Sequence, residues 1–289
     1  MLPKDFYEKV EDPTYLKHII YGDTDSLFVV VPTQNADKLS TEEKMKIANK
    51  VSSDINDGII KYLTEYFLPK SNIASNQNTT FFKSEMLMES IMLLDVKKNY
   101  AYKTLAKKGK IFKVPKINYT GIQVVKSDAA KITQDMLKNI IENVILDPEV
   151  QPKDRLPKIT EIVNNYYHDF INKCNSFDLS EISFPGKWAK KLMMVNGMQL
   201  YNFIMSKEIF SMGSAGNFIY CTFKNPKLFT NIDMTKTNGI CFPYLYEKEL
   251  LKQKMEQFQI EVDRETQWSK LFTTTCGRII DLVKNQKEK

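Results

Sequence analysis

Cysteine, histidine and arginine are scarce in this 289-residue sequence. It has four cysteines and two histidines, and its three arginines are Arg155, Arg264 and Arg278. The cysteines lie far apart and form no C-x-x-C pair, which argues against both a Cys/His zinc site and a disulfide framework. The sequence therefore points away from small disulfide-rich and zinc-dependent proteins.

Long apolar runs are also missing. No stretch approaches the roughly 18 consecutive apolar residues of a membrane-spanning helix, and no basic and apolar leader opens the chain. The sequence predicts no membrane association, a cytosolic location and reduced thiols. The length predicts one large domain or two modest ones.

The positive charge is carried almost entirely by lysine. The formal net charge is +6. Lysine suits contact with phosphates whatever the base sequence, whereas arginine is favoured for bidentate contacts with base edges. The same composition would also arise in an A+T-rich genome. Composition therefore permits a nucleic-acid partner without requiring one.

The first half of the chain shows strand patterns around one long helix. Apolar and aromatic residues flank a polar centre in "HIIYGDTDSLFVVVP", which predicts a hairpin over 18–32 with its turn at 22–25. Ser40 and Glu43 have capping-box spacing at the start of an amphipathic helix that should end before Pro69. Strands and a turn around Gly109 follow.

The second half is mainly helical. Periodicity predicts helices at about 131–146, 156–173, 246–260 and 265–285, with short strands at "GNFIYCTF" and "GICFPYL". A boundary is expected near 123–126. The predicted class is α+β, with a sheet-and-helix domain over 1–125 and a helical domain over 126–289.

Two aspartates at the hairpin tip carry the first chemical signal. Asp23 and Asp25 flank Thr24, and residues i and i+2 of an extended chain point to the same side. Converging carboxylates repel each other unless a cation lies between them, and Mg²⁺ prefers such oxygen ligands. The alternative is ordinary turn chemistry, which is common for Asp and Gly in hairpin loops.

The wider sequence around these aspartates favours the metal-binding interpretation over ordinary turn chemistry. "YGDTDS" between apolar strands resembles motif C of the family B DNA polymerases, and "LLDVKKNYAYK" resembles their K-K-x-Y element. The second match consists of Lys97, Lys98 and Tyr100, with Asn99 where the family usually has Arg. "KINYTGIQ" and the segment from "GICFPYL" onward resemble the tailed-bacteriophage branch of the family. If the protein is phage-encoded, its expected location is the cytoplasm of the infected bacterial host.

The resemblance implies a palm domain over 1–125 and a thumb domain over 126–289. Asp25 is expected to ligate both of two catalytic Mg²⁺ ions, and Asp23 to be a weaker or water-mediated ligand. Thr24 should orient the turn near the primer terminus. Glu85 in "FFKSEML" aligns loosely with a palm glutamate beside the metals; the alternative is an ordinary exposed strand residue.

Primer-template contacts are expected from two basic segments. Residues 97–117 contain eight lysines and no acidic residue, and the resemblance assigns DNA contact to Lys97, Lys98 and Tyr100. The lysines near Gly109 fit a solvated turn instead. In the thumb, "FPGKWAKK" offers further phosphate contacts from Lys187, Lys190 and Lys191. Trp188 and the following methionine-rich run fit core packing.

Two further motifs of the family are missing from these 289 residues. Motif A, D-x-x-S-L-Y-P, would supply another metal-binding aspartate, and motif B, K-x-x-x-N-S-x-Y-G, would bind the incoming dNTP. We therefore expect either a fragment of a longer DNA-directed DNA polymerase or, as the favoured interpretation, the C-terminal subunit of a split one, in which a second chain supplies both motifs and the exonuclease. A sliding clamp is a further candidate partner. The alternatives are a non-catalytic DNA-binding or processivity subunit and an RNA-templated polymerase, whose turn would usually carry adjacent aspartates.

Overall fold

The computed structural model describes residues 18–23, 26–31, 33, 35–74, 76, 81–187, 192–211, 213–273 and 276–285. The chain divides into two compact units, Met1–Glu89 with Lys103–Ile117 and Ser90–Tyr102 with Asn118–Lys289. Both contain helices and antiparallel strands, which confirms the predicted α+β class. The division into palm and thumb stays a prediction.

The strands form three antiparallel groups in the part of the chain that the structure describes. They are β1 Ile19–Asp23, β2 Ser26–Val29, β3 Met86–Leu93, β4 Tyr100–Lys107, β5 Lys110–Thr120, β6 Phe184–Lys187, β7 Ala215–Phe223, β8 Gly239–Phe242 and β9 Ile260–Val262. Strands β1 and β2 pair as a hairpin, β3, β4 and β5 form a meander, and β6, β7 and β8 form a sheet in which β9 also pairs with β7.

The principal helices lie between and after these strands. They are α1 Thr41–Tyr62, α2 Lys131–Ile140, α3 Pro152–Ser176, α4 Leu179–Ile182, α5 Leu192–Met205, α6 Lys248–Gln257, α7 Arg264–Thr273 and α8 Cys276–Asn285. Short 3-10 turns occur at Ala36–Lys38, Gln123–Val125, Pro226–Leu228 and Met234–Lys236. No helix in the described residues has the length and apolar character needed to cross a membrane.

Helix α1 begins as its sequence predicts. The Ser40 hydroxyl accepts a hydrogen bond from the Glu43 amide at 3.2 Å, and the Glu43 carboxylate accepts one from the Ser40 amide at 2.8 Å. The predicted end before Pro69 is wrong. A π-helical turn, Leu63–Phe67, is followed by a further helical turn, Leu68–Lys70. Pro69 lies in the first turn of the short helix that follows the π-helical turn. A backbone N–H in a first turn has no partner within its own helix, so the N–H that proline lacks costs little stability there.

Two predicted features of the first unit are confirmed. β1 and β2 form the expected hairpin, in which Asp23 is paired with Ser26 and Gly22 with Leu27, so β1 includes Gly22 and Asp23, the first two residues of the predicted turn. The turn between β4 and β5 falls at Gly109, whose φ of 77° follows a φ of 50° at Lys108. Left-handed backbone of this kind favours glycine.

The core of the second unit packs helices against the sheet of β6, β7 and β8. Phe170 of α3, Phe218 of β7 and Phe242 of β8 are all essentially buried. Helix α5 packs against β8, and its Met198 is 4% exposed. The predicted core role of the methionine-rich run is therefore confirmed for the part of α5 whose side chains are described.

One buried polar side chain ties this core together. Gln267 of α7 donates a hydrogen bond to the carbonyl of Ile182 at 2.5 Å and accepts one from the amide of Tyr220 at 3.0 Å. The side chain is fully buried. Because both ends of its amide are satisfied, Gln267 joins α7, the end of α4 and β7 without leaving an unpaired polar group.

Candidate functional site

The hairpin of β1 and β2 carries Asp23, one of the two expected metal-binding aspartates, at the end of its first strand. β1 ends at Asp23, whose carbonyl accepts a hydrogen bond from the Ser26 hydroxyl at 3.1 Å. The rings of Tyr21 and Phe28 lie 5.2 Å apart across the two strands. Cross-strand aromatic contacts of this kind stabilise a hairpin register. The local sequence therefore holds Asp23 at the strand end, half-buried.

The two neighbouring site residues, Thr24 and Asp25, lie outside the described residues. Among those that are described, no group of three or more His, Cys, Asp or Glu side chains is placed to bind a metal ion. The Asp23 carboxylate is the kind of oxygen donor that Mg²⁺ prefers. The donor chemistry of the hairpin thus fits a hard divalent ion, and the ligand set stays a prediction.

Glu85 lies in the segment that leads into β3. Its side chain is exposed, and its carbonyl accepts a hydrogen bond from the Lys108 amide at 2.7 Å. Phe82, three residues before Glu85, is held by the side chain of Asn56 in α1. The Asn56 side chain accepts a hydrogen bond from the Phe82 amide at 2.5 Å and donates one to the Phe82 carbonyl at 2.6 Å. Asn56 was not singled out by the sequence, because nothing local shows which helical Asn meets a distant backbone.

The K-K-x-Y element forms the connection between β3 and β4. The Leu94 amide donates to the Asn99 carbonyl at 3.0 Å, and the Asn99 amide donates to the Val96 carbonyl at 3.2 Å. The Asn99 side chain also donates to the Lys97 carbonyl at 3.0 Å. We call residues 94–99 the lysine turn. The lysine turn is stabilised by hydrogen bonds within its own backbone and by the side-chain amide of Asn99.

The two lysines of the lysine turn are exposed, whereas Tyr100 is half-buried as the first residue of β4. Lys98 has left-handed backbone, with a φ of 59°. The Tyr100 and Tyr102 rings lie 5.9 Å apart. The pKa of Tyr102 is raised, mainly by burial and to a smaller extent by the nearby Tyr100. The arrangement presents two ammonium groups to solvent beside an aromatic pair.

The other lysines of this stretch have different surroundings. Lys103 forms an ion pair with Glu89 at 2.6 Å, and the Lys116 ammonium lies 4.7 Å from the centre of the Phe112 ring. Lys107, Lys108 and Lys110 are exposed at the turn around Gly109, as the sequence predicts. A lysine engaged in an ion pair, such as Lys103, is less available to a phosphate.

The candidate contacts in the thumb are described only in part. Lys187 is the last residue of β6, and its backbone is paired with Ala215 of β7. The Lys187 side chain and residues 188–191, including Trp188, Lys190 and Lys191, lie outside the described part. Contact of these lysines with duplex DNA therefore stays a prediction.

Gly121 is a site residue that the sequence did not single out. It follows β5, has a φ of 66°, and packs against the Lys98 carbonyl so closely that a Cβ atom at this position would overlap it. The Asn99 side chain would also lie 3.2 Å from that Cβ. A single Gly in "NYTGIQ" signals a turn, but only the structure shows that it supports the lysine turn.

Comparison with known proteins identifies the class. A family model described as DNA polymerase family B matches residues 3–236. This covers most of the chain and includes both the hairpin and the lysine turn. The chain belongs to DNA polymerase family B, as its motifs predict.

One relative is a DNA polymerase of Choristoneura biennis entomopoxvirus. It is 24% identical over 182 residues, which amount to 62% of this chain and 17% of the viral protein. The chain thus spans under a fifth of the length of this relative. The relative comes from an entomopoxvirus, and membership of the tailed-bacteriophage branch stays a prediction.

Proposed function

We propose that this chain supplies the palm hairpin and the thumb of a DNA-directed DNA polymerase that adds dNTPs to a primer 3′-OH. The observation that carries the proposal is the hairpin of β1 and β2. Its two strands are connected through the "GDTDS" sequence, and it lies within the residues that the family model matches. The fold alone would not support a catalytic role, because one fold can host unrelated functions.

The proposed roles of the hairpin residues follow from their chemistry. Asp25 would bind both metal ions, Asp23 would be the weaker ligand, and Glu85 is a third candidate. Thr24 would orient the turn near the primer terminus. When bound, two Mg²⁺ ions would supply Lewis-acid stabilisation of the attacking and leaving oxygens.

The proposed DNA contacts are electrostatic. Lys97 and Lys98 would contact backbone phosphates, Tyr100 would position the primer, and Lys187, Lys190 and Lys191 would hold the product duplex. Contacts with phosphates position a duplex without selecting its sequence. The exposure of both ammonium groups on the lysine turn supports this assignment.

A second chain is the proposed source of motifs A and B. Within the described residues, β1 and β2 pair only with each other, and Ile20 and Val30 are 41% and 47% exposed. An isolated two-stranded hairpin is marginally stable in water. Strands from outside these 289 residues would complete the sheet and bring the further carboxylate that a two-metal site requires.

The test is a primer-extension assay with the purified chain, in the presence and absence of a candidate partner bearing motifs A and B. Size-exclusion chromatography of the mixture reports whether a complex forms. We expect Mg²⁺-dependent synthesis by the complex and none by this chain alone. Robust synthesis by the chain alone would overturn the split arrangement. Duplex binding without synthesis in any mixture would favour the non-catalytic subunit instead.

A further inference from the structure

A small pocket lies beside the lysine turn. Its lining comes from three separate segments: Asn99 of the lysine turn, Gly121 and Gln123 after β5, and Arg278 of α8. Lys126, which follows the 3-10 turn Gln123–Val125, also lines it. The pocket therefore joins the lysine turn to a helix more than 170 residues away in sequence.

Buried neighbours fix the walls of this pocket. Ile122 is 3% exposed and Ile279 is 1% exposed, and both line the pocket themselves. Tyr119, two residues before Gly121, donates a short hydrogen bond of 2.5 Å to the Glu142 carboxylate. Both the 3-10 turn and α8 are thus anchored at the pocket, which Lys126 and Arg278 line from the two sides of the sequence.

The polar character of the pocket is cationic. Lys126 and Arg278 both line it, and no Asp or Glu in the described part of the chain does. Within the described residues, neither side chain forms an ion pair or hydrogen bond. Both side chains are exposed, and two like charges that line one pocket repel each other, so an anion bound between them would remove that repulsion.

The guanidinium is the informative group. Arg278 is one of three arginines in a chain whose positive charge is otherwise lysine. A guanidinium presents paired N–H donors that match two oxygens of a phosphate, whereas an ammonium acts as a point charge. Arg278 and Lys126 together thus provide a fork and a point charge for one tetrahedral anion.

We infer that this pocket is a subsite for one backbone phosphate of the primer-template duplex, bound by Arg278 and Lys126. The inference rests on the proposed function, which supplies the duplex. The exposed Lys97 and Lys98 of the adjacent turn would contact neighbouring phosphates of the same strand. Asn99 belongs to both features, because it lines the pocket and its side-chain amide donates to the Lys97 carbonyl within the lysine turn.

The first test compares Arg278→Gln with a matched arginine variant, Arg264→Gln, in the full chain with its partner if one is required. Arg264 is exposed and donates to Asn175 at 2.9 Å, away from the pocket lining. Fluorescence anisotropy measures binding of a labelled primer-template across a salt series. We expect Arg278→Gln to weaken binding about tenfold at low salt and to lower the salt slope by about 0.9. Arg264→Gln should leave both unchanged.

The second test locates the phosphate. Single phosphates of the duplex are replaced in turn by neutral methylphosphonates. We expect one position at which replacement weakens binding by the unaltered chain but produces no further loss in Arg278→Gln, because the two changes remove the same contact. Equal losses in both proteins at every position would overturn the subsite.

The remaining outcomes separate the possible failures. A dNTP offers the same phosphate chemistry, so a raised KM for dNTP with an unchanged duplex salt slope in Arg278→Gln would overturn the duplex assignment. Unchanged duplex binding and unchanged KM would overturn the subsite while leaving the proposed function intact. Failure of the unaltered complex to bind duplex would overturn the proposed function itself.

Discussion

Gly121 lies against the backbone carbonyl of Lys98, with no room for a Cβ atom between them. The contact joins the end of β5 to the lysine turn, and both backbones are left-handed at the point of contact. The conformation of the lysine turn therefore depends on a glycine more than twenty residues further along the chain.

We expect Gly121→Ala to destabilise the protein and to weaken duplex binding. Its φ of 66° costs an alanine roughly 1–2 kcal/mol, and the clash with the Lys98 carbonyl adds to this. Gly109→Ala is the matched control, because its φ is 77° but nothing lies within 4 Å of the added Cβ. Urea denaturation should show a larger loss for Gly121→Ala. Equal losses, with duplex binding intact, would show that the contact does not support the lysine turn.

Asp25→Asn should lower nucleotide incorporation by several orders of magnitude in the assembled polymerase, while primer-template binding changes little. Loss of a ligand shared by two metal ions acts on the transition state rather than on DNA affinity. Asp23→Asn should have a milder effect. Single-turnover incorporation and anisotropy measure the two quantities separately. Near-normal incorporation by Asp25→Asn would remove the metal assignment.

Lys97→Ala and Lys98→Ala should each weaken primer-template binding without any sequence preference. Each lost phosphate contact should lower the salt slope by about one unit. Lys107→Ala and Lys110→Ala are matched controls, because both lysines are exposed at the turn around Gly109. The measurement is a salt titration with two unrelated duplex sequences. Identical slopes for all four variants would assign the lysine turn to an ordinary solvated surface.

Asn56→Ala should loosen the segment that leads to Glu85. Loss of its two hydrogen bonds with Phe82 should cost about 1–3 kcal/mol. Asn143→Ala is a control, because Asn143 is exposed and its side chain donates a hydrogen bond to Asn139, one helical turn away. Hydrogen exchange should show faster exchange at residues 81–85 in Asn56→Ala alone. Unchanged exchange there would mean that other contacts hold this segment.

Stability should fall at alkaline pH in part because of Cys174. Burial raises the pKa of its thiol from 9.0 to about 11. The unfolded thiol therefore ionises first, so this contribution to stability is complete below pH 9 and is lost as the pH rises through about 11. Urea midpoints between pH 8 and 11 should fall less steeply for Cys174→Ala than for the unaltered chain. Parallel pH profiles would contradict this.

The sequence by itself determined the features that depend on local pattern. The hairpin, the start of α1 at its capping box and the turn at Gly109 follow from alternation, side-chain capping and backbone preference within a few residues. The two polymerase motifs are equally local, and they predicted the family that the comparison confirms.

Only the tertiary structure decided which distant residues meet. Gly121 against Lys98, Asn56 against Phe82, and Arg278 beside Lys126 each join separate elements. Such pairs depend on how helices and strands pack, which leaves no periodic trace in a single sequence. The continuation of the helix past Pro69 to Lys70 was also missed, because a π-helical turn at Leu63–Phe67 precedes a new helical turn in which the proline is tolerated.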